Sequence, residues 1–150
     1  MKTLILYDTK YGFTEKCARY LHEKLQGSTI HKLSDNVDIT EYDKILLGTY
    51  IYVGEINENA SNFLVKNKNK LLSKKFGIFC AGLNKNEFSN ALQKSIDPEI
   101  FYHAKIVLAG GRVILENLTF FEKRKIKKRI NVSEDIEEFY PKNLDELLVF

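Results

Sequence analysis

The chain has 150 residues, a formal net charge of +3, 44% apolar residues and 29% charged residues. This balance is typical of a globular protein with a sizeable core, and the mild positive charge permits anionic partners without requiring them. No apolar run approaches the roughly 20 residues of a membrane span, and no signal-peptide pattern opens the sequence. The two cysteines have no metal or redox spacing. We therefore expect a cytoplasmic protein with reduced thiols.

Apolar runs and amphipathic segments alternate along the chain. The apolar runs predict strands, all but the second buried on both faces, at 3–7, 28–33, 44–50, 76–81 and 105–109. The amphipathic segments predict helices at about 14–26, 58–69 and 87–95, and a short last helix at 144–150 capped by Asn143. Alternation of this kind implies parallel strands with right-handed helical crossovers, and hence a doubly wound α/β sheet. With two prolines and no Gly/Ser tract, we expect one domain.

Three loops follow buried strands, namely 8–14, 49–57 and 81–87. The carboxyl ends of parallel strands meet at one edge of the sheet, and ligands of such sheets bind beyond that edge. We therefore expect the three loops to form one binding site.

The first loop runs from a buried strand into a helix start. Backbone N–H groups there have no partners within the helix, and the helix dipole adds positive potential, so the position suits an anion. Thr9 and Thr14 can donate hydroxyl hydrogen bonds to a phosphate, and Thr14 is predicted to be the helix N-cap. Gly12 permits close backbone approach, and Lys10 can add a charge. Neither GxGxxG nor GxxxxGK[ST] is present, so the loop indicates a monophosphate site. An ordinary strand–helix turn remains the alternative.

Eight residues of this strand, loop and helix resemble the signature of the flavodoxin family. They are Ile5, Leu6, Tyr7, Thr9, Gly12, Thr14, Ala18 and Leu21. The resemblance implies a flavodoxin-like three-layer α/β/α sandwich around a five-stranded parallel sheet of order 2-1-3-4-5. It also implies that the bound phosphate belongs to flavin mononucleotide (FMN), held without a covalent bond.

By the same resemblance, all three loops contribute to the FMN site. The first supplies Thr9, Lys10, Tyr11, Gly12, Phe13 and Thr14. The second supplies Thr49, Tyr50, Ile51, Tyr52, Val53 and Gly54, and the third supplies Ala81, Gly82, Leu83 and Asn84. The tyrosines of the second loop can stack on the flat, apolar isoalloxazine ring, while backbone N–H groups meet its polar edge. Packing at the strand end is the alternative reading of these tyrosines.

The third loop has no aromatic residue before Phe88. Flavodoxins that shuttle electrons commonly stack a tyrosine there. We therefore expect a more open flavin face, which suits a reacting substrate better than a pure electron carrier.

Residues 45–54 and 75–83, with a long basic segment at about 112–142 before the last helix, resemble the flavodoxin-like branch that contains menaquinone-dependent protoporphyrinogen oxidase. This resemblance implies a single domain over 1–150 with a basic insertion, working as an FMN-dependent oxidoreductase on a porphyrinogen and a quinone. An electron-transfer flavodoxin serving a redox protein is the first alternative, although such flavodoxins are typically acidic. A flavodoxin-fold interaction module without flavin is the second.

The segment 120–130 combines aromatic residues with the basic run 123–129. It suits peripheral contact with an anionic membrane at the inner face of the cell membrane, or contact with a carboxylate-bearing porphyrin. A solvated helix face is the alternative. The three histidines, His22, His31 and His103, fall outside the three loops. We expect no catalytic side chain, no metal site and no nucleic-acid partner.

Overall fold

The computed structural model describes residues 1–115, 119, 121–122, 124 and 135–150. The strands are β1 (Thr3–Tyr7), β2 (Thr29–Lys32), β3 (Lys44–Tyr52), β4 (Glu55–Ile56), β5 (Lys75–Ala81), β6 (Lys105–Val113) and β7 (Ile136–Phe139). The helices are α1 (Phe13–Lys24), α2 (Glu58–Lys66), α3 (Lys68–Leu72), α4 (Lys85–Ser95), α5 (Pro98–His103) and α6 (Pro141–Asp145). Short 3₁₀ turns cover Leu33–Asp35 and Glu146–Leu148. Within these ranges, no helix is long and apolar enough to cross a membrane.

The sheet runs in the order β2-β1-β3-β5-β6-β7, and its first five strands are parallel. These five are the predicted strands, so the predicted 2-1-3-4-5 arrangement is confirmed. Two further strands were not predicted: β4 forms an antiparallel hairpin with β3, and β7 pairs antiparallel with β6. Both are short, and β7 carries two glutamates, so neither shows the apolar run that marked the others.

Both faces of the sheet are covered, as the buried strands require. On one face, Leu4 and Leu47 pack with Leu64 of α2 and Leu92 of α4. On the other face, Ile5, Leu46 and Phe79 pack with residues of α1 and α6. Consecutive residues of β1 thus enter opposite clusters, which is why all five of them are buried. The predicted three-layer sandwich is confirmed.

Several element boundaries differ from the prediction. Helix α1 begins at Phe13 with Gly12 as its N-cap, so the prediction that Thr14 is the N-cap was wrong. The predicted helix 58–69 is two helices that meet at Asn67. The last helix begins at Pro141, because proline suits a first helical turn. Asn143 therefore lies inside the helix, where its side-chain amide donates to the Leu108 carbonyl oxygen at 2.9 Å.

Helix α5 was also missed. Asp97 caps it by accepting a hydrogen bond from the Glu99 N–H at 2.9 Å, and Pro98 occupies its first turn. This Asp-Pro start is a recognisable helix signal, but the helix covers only Pro98–His103 and shows too few turns for an amphipathic pattern.

Candidate functional site

One pocket lies beyond the carboxyl ends of β1, β3, β5 and β6. All but three of the predicted site residues line it, the exceptions being Gly12, Thr49 and Gly54. Lining residues that were not predicted are Glu87, Gly111, Arg112, Val113 and Glu122. The three loops expected to meet at one edge of the sheet therefore do meet there.

The first loop and the start of α1 form the end of the pocket that we call the anion end (9–14). Gly12 has a φ of 88°, a left-handed conformation that glycine adopts without strain. Its N–H donates to Thr9 Oγ1 at 2.9 Å, so the Thr9 hydroxyl keeps its own hydrogen for a ligand. Thr14 follows in the first helical turn and lines the pocket although it is 2% exposed. The left-handed turn at Gly12 sets the course of the backbone at this end, but Gly12 itself does not line the pocket.

The anion end packs closely against the sheet because Gly48 of β3, which faces the first turn of α1, has no side chain. A Cβ on Gly48 would lie 2.4 Å from the Phe79 ring and 2.9 Å from Thr14 Cγ2. Neither distance is possible for real atoms without displacement. The absence of a side chain at Gly48 therefore lets the first turn of α1 approach the sheet and fixes where Thr14 lies.

The opposite end of the pocket, which we call the tyrosine end, consists of residues 50–53 and 81–84. Tyr50 is half-buried, and burial is the main cause that raises its pKa. Tyr52 is 43% exposed and Val53 41% exposed at the rim. The third loop adds small and aliphatic groups but no ring. Of the second and third loops, the second supplies the aromatic surface.

The second loop was predicted as a loop and is in fact the hairpin of β3 and β4. Val53 and Gly54 link the two strands, with φ values of 53° and 76°. Two-residue hairpin turns of type I′ need positive φ at both positions, and a β-branched residue is sterically strained there. Gly54 therefore serves the turn rather than the pocket. The hairpin holds Tyr52 and Val53 at the mouth of the site.

A buried amide joins the first two loops. Asn57 Oδ1 accepts hydrogen bonds from the Thr49 hydroxyl and, at 3.1 Å, from the Tyr50 N–H. Its Nδ2 donates to Asp8 Oδ2 at 2.8 Å, and Asn59 donates to the same oxygen at 3.1 Å. Thr49 is fully buried in this network, which explains why it does not line the pocket.

The third loop is fixed by its own cap and by β6. Asn84 Oδ1 accepts from the N–H groups of Asn86 and Glu87 at 3.0 and 3.1 Å, and so caps α4. The Gly82 N–H donates to the Gly110 carbonyl oxygen at 2.7 Å. This loop is thereby held beside the carboxyl end of β6, where Gly111 and Arg112 enter the pocket lining.

Lys10 was predicted to add charge for the phosphate, but its ammonium lies toward the tyrosine end. It forms an ion pair with Glu122 and lies 3.8 Å from the centroid of the Tyr52 ring. Desolvation is the largest single influence and would lower the pKa of Lys10, but the hydrogen bonds to Glu122 and Tyr52 and the nearby negative charge of Glu122 together raise it. The charge of Lys10 is therefore already balanced by a carboxylate.

Glu122 is buried despite its charge. Besides Lys10, its carboxylate accepts from the Tyr11 hydroxyl and from the Thr119 N–H, each at 3.2 Å. Its own N–H donates to Thr119 Oγ1 at 3.1 Å, which completes a capping box. Desolvation would raise the pKa of Glu122, but these donors, with Lys10 first, hold it at about 2. The spacing Thr119-x-x-Glu122 is a sequence signal for the hydrogen bonds between these two residues, but not for the contact between Glu122 and Lys10.

Arg112 is the second cation of the pocket lining, and its guanidinium lies beside the anion end. Its Nε donates to Glu137 Oε1 at 2.8 Å, and its Nη1 donates to the Tyr11 carbonyl oxygen at 3.4 Å. Lys16 Nζ reaches the other Glu137 oxygen at 3.3 Å. The hydrogen bond from Arg112 is the largest cause that lowers the pKa of Glu137. No sequence pattern pointed to Arg112, because its partners Glu137 and Tyr11 lie on β7 and in the first loop, far from it in sequence.

The pocket therefore offers anion donors at one end and apolar, aromatic surface at the other. A ligand with a phosphate group and a flat ring fits this arrangement. None of the three histidines lines the pocket. Among the described residues, no three His, Cys, Asp or Glu side chains are grouped so as to hold a metal ion. Cys17 and Cys80 are buried and free.

Comparison with known proteins identifies the family of the chain and solved structures that share its fold. The sequence matches the flavodoxin domain family over residues 4–139, and no curated protein sequence matches it significantly. A Lactobacillus acidophilus flavoprotein solved in complex with FMN is 17% identical and superposes with a TM-score of 0.55 over 85% of this chain and 97% of its own. Rubredoxin oxygen:oxidoreductase from Desulfovibrio gigas is 15% identical, with a TM-score of 0.54 over 99% of this chain and 37% of its own.

Two-electron reduced Megasphaera elsdenii flavodoxin is 19% identical, with a TM-score of 0.53 over 71% of this chain and 82% of its own. At these identities the structural similarity establishes the fold, whereas the sequence match, which spans most of the chain, establishes the family. The chain belongs to the flavodoxin domain family.

Proposed function

We propose that this chain binds one FMN without a covalent bond and works as a flavodoxin-like oxidoreductase. The observation that carries the proposal is the composition of the pocket. One end has a helix N-terminus with two threonine hydroxyls, and the other end has Tyr50 and Tyr52. FMN has a phosphate at one end and an apolar ring at the other, so the two ends match. The fold shared with a flavoprotein solved in complex with FMN supports the same ligand.

In this proposal the anion end holds the phosphate. The N–H groups of the first turn of α1 and the hydroxyls of Thr9 and Thr14 supply the donors. Tyr50 and Tyr52 supply the surface for the ring, and backbone N–H groups of the third loop suit its polar edge. When bound, the flavin supplies the electron or hydride transfer. The protein's part is to anchor the phosphate, orient the ring and limit which molecules reach it.

The finer proposal is oxidation of a protoporphyrinogen with a quinone as acceptor. It is supported by the likeness of 45–54 and 75–83 to that branch of the family, and by the third loop, which lacks an aromatic residue to cover the ring. The basic segment 120–130 suits the carboxylates of a porphyrin or an anionic membrane, but most of it lies outside the described residues. Membrane contact therefore stays a part of this proposal.

An electron-transfer flavodoxin is the second candidate, favoured by the fold shared with the Megasphaera elsdenii flavodoxin. The net charge of +3 counts against it, because the redox partners of acidic flavodoxins present basic faces. Photoreduction of the FMN-loaded protein separates the two candidates. A strongly stabilised blue semiquinone supports an electron shuttle, and its absence supports an enzyme that works on a substrate at an open ring.

The test begins with the purified protein. We expect flavin absorbance bands, or quenching of FMN fluorescence when FMN is added to the flavin-free protein. We then expect turnover of protoporphyrinogen with a menaquinone analogue, measured as porphyrin fluorescence. Flavin binding without turnover would reject the protoporphyrinogen proposal alone. A colourless protein that leaves FMN fluorescence unchanged would reject the flavin proposal and establish an interaction module.

A further inference from the structure

We propose that Arg112 is the cation that binds the phosphate of FMN and makes the site prefer phosphorylated flavin. The inference rests on the proposed FMN function and names a residue outside the three loops. It replaces the charge role that the sequence had suggested for Lys10.

Arg112 lies beside the N-cap turn of α1. Pairing of β6 with β7 sets Arg112 directly opposite Glu137. Its Nη1 lies 3.4 Å from the Tyr11 carbonyl oxygen and 3.7 Å from where a Cβ on Gly12 would stand. Gly12 is the N-cap of α1. The guanidinium therefore touches the turn at which the helix presents its free N–H groups.

Glu137 fixes the orientation of the Arg112 guanidinium. Glu137 Oε1 engages Nε at 2.8 Å and also engages Nη2. This contact uses one edge of the planar group and turns Nη1 toward the anion end. Within the described part of the chain, the hydrogen bond that Nη1 makes there is the long one to the Tyr11 carbonyl oxygen, so its second hydrogen can be donated to a phosphate oxygen. A guanidinium fixed in this way loses little conformational freedom when an anion binds.

Arg112 differs from the other cations nearby in its position. Among the described lining residues, Lys10 and Arg112 are the cations. Lys10 is paired with Glu122 and lies over the Tyr52 ring, away from the anion end. Lys16 shares Glu137 with Arg112 but does not line the pocket. Arg112 thus combines a place in the pocket lining with contact to the N-cap turn.

The test compares FMN with riboflavin, which lacks the phosphate. Dissociation constants for both flavins are measured by fluorescence quenching for the wild type, Arg112→Gln, Arg112→Lys and the control Lys16→Gln. We expect Arg112→Gln to weaken FMN about 10-fold to 30-fold and riboflavin less than about twofold, because only FMN carries the charge. Arg112→Lys should weaken FMN binding by an intermediate factor, because lysine keeps the positive charge but lacks the planar set of donors that a guanidinium presents. Lys16→Gln should change neither constant by more than about twofold.

Salt provides a second readout. The wild-type preference for FMN over riboflavin should fall as ionic strength rises, and it should fall less in Arg112→Gln. Equal weakening of both flavins in Arg112→Gln, or an unchanged FMN constant, would overturn the role of Arg112 while leaving FMN binding in place. A wild type that binds neither flavin would overturn the proposed function and this inference together.

Discussion

The anion end and the tyrosine end of the pocket are built in different ways. The anion end is a contiguous stretch, 9–14, whose main hydrogen bond joins residues three positions apart. The tyrosine end draws on two loops and on Glu122, which contacts Lys10 across 112 positions of sequence. Local backbone geometry therefore shapes most of the anion end, to which Gly48 and Arg112 add contacts from distant strands, whereas long-range contacts fix the tyrosine end. Changes at the anion end should affect FMN alone, whereas changes at the tyrosine end should affect FMN and riboflavin alike.

The largest effect is expected from Thr14→Asp at the anion end. A carboxylate in this position places negative charge next to the phosphate, so FMN binding should weaken about 100-fold or more. The isosteric control Thr14→Asn keeps the size and removes the charge, and it should weaken FMN by less than about tenfold. Fluorescence titration with FMN and riboflavin measures both. Equal affinity for FMN in the two variants would contradict a phosphate at this end.

The link between the two ends is tested by Asn57→Ala. This change removes a buried amide that joins Asp8 to Thr49 and the Tyr50 N–H, and the Thr49 hydroxyl and the Tyr50 N–H both lose the oxygen that accepts their hydrogen bonds. The free energy of unfolding should fall by about 2–3 kcal/mol, measured by urea denaturation. Asn59→Ala is the control, because Asn59 is exposed and donates to the same Asp8 oxygen at 3.1 Å. A loss no larger than that of Asn59→Ala would mean that Asn57 does not tie the loops together.

Glu122→Gln tests the long-range contact at the tyrosine end. At pH 7 the change should cost about 1–2 kcal/mol of unfolding free energy, because it removes the charge that pairs with Lys10. The pKa of Glu122 is about 2 in the folded protein, against an ordinary value of 4.5. Its contribution is therefore complete above about pH 4.5 and is lost as the pH falls toward 2.

The measurement for Glu122 is a series of urea denaturations between pH 7 and pH 3. The difference between wild type and Glu122→Gln should shrink below about pH 4.5. The exposed Glu23 gives the control Glu23→Gln, which should differ little from wild type across the range. A difference for Glu122→Gln that stays constant with pH would show that its ionised carboxylate does not stabilise the fold.

The smallest effect is expected from Tyr52→Leu. Tyr52 is 43% exposed, so its ring can cover only part of a flavin. Both flavins should bind about threefold more weakly, because the aromatic contact is lost and the phosphate site is untouched. Tyr102→Leu, on α5 and 84% exposed, is the control and should change neither constant. A selective loss of FMN in Tyr52→Leu would erase the distinction between the two ends.

Sequence patterns predicted the features of the fold and of the site that depend on residues close together in the sequence. The strands followed from apolar runs, and the anion-binding character of the first loop followed from the spacing of Thr9, Gly12 and Thr14. The order of the strands came from the resemblance to the flavodoxin family. The N-cap was misassigned because the left-handed turn at Gly12, rather than a hydroxyl, starts the helix. The role of Thr49 was missed because its partner, Asn57, is set by the hairpin.

Sequence patterns could not predict the roles of three charged residues, Arg112, Glu122 and Glu137. Each gains its role from an element that is distant in sequence: Arg112 and Glu137 through the pairing of β6 with β7, and Glu122 through its contact with Lys10. β7 itself was missed because its sequence shows two glutamates rather than an apolar run. Charged residues that meet only after the chain has folded leave no periodic pattern.

The most direct test of the account is the ratio of the dissociation constants of the wild-type protein for riboflavin and FMN. The two flavins share the ring and differ in the phosphate, so the ratio isolates the anion end. We predict that FMN binds at least about 30-fold more tightly, as expected for a phosphate held by helix N–H groups, hydroxyls and one cation. Equal binding of the two flavins, or binding of neither, would contradict a phosphate site at 9–14.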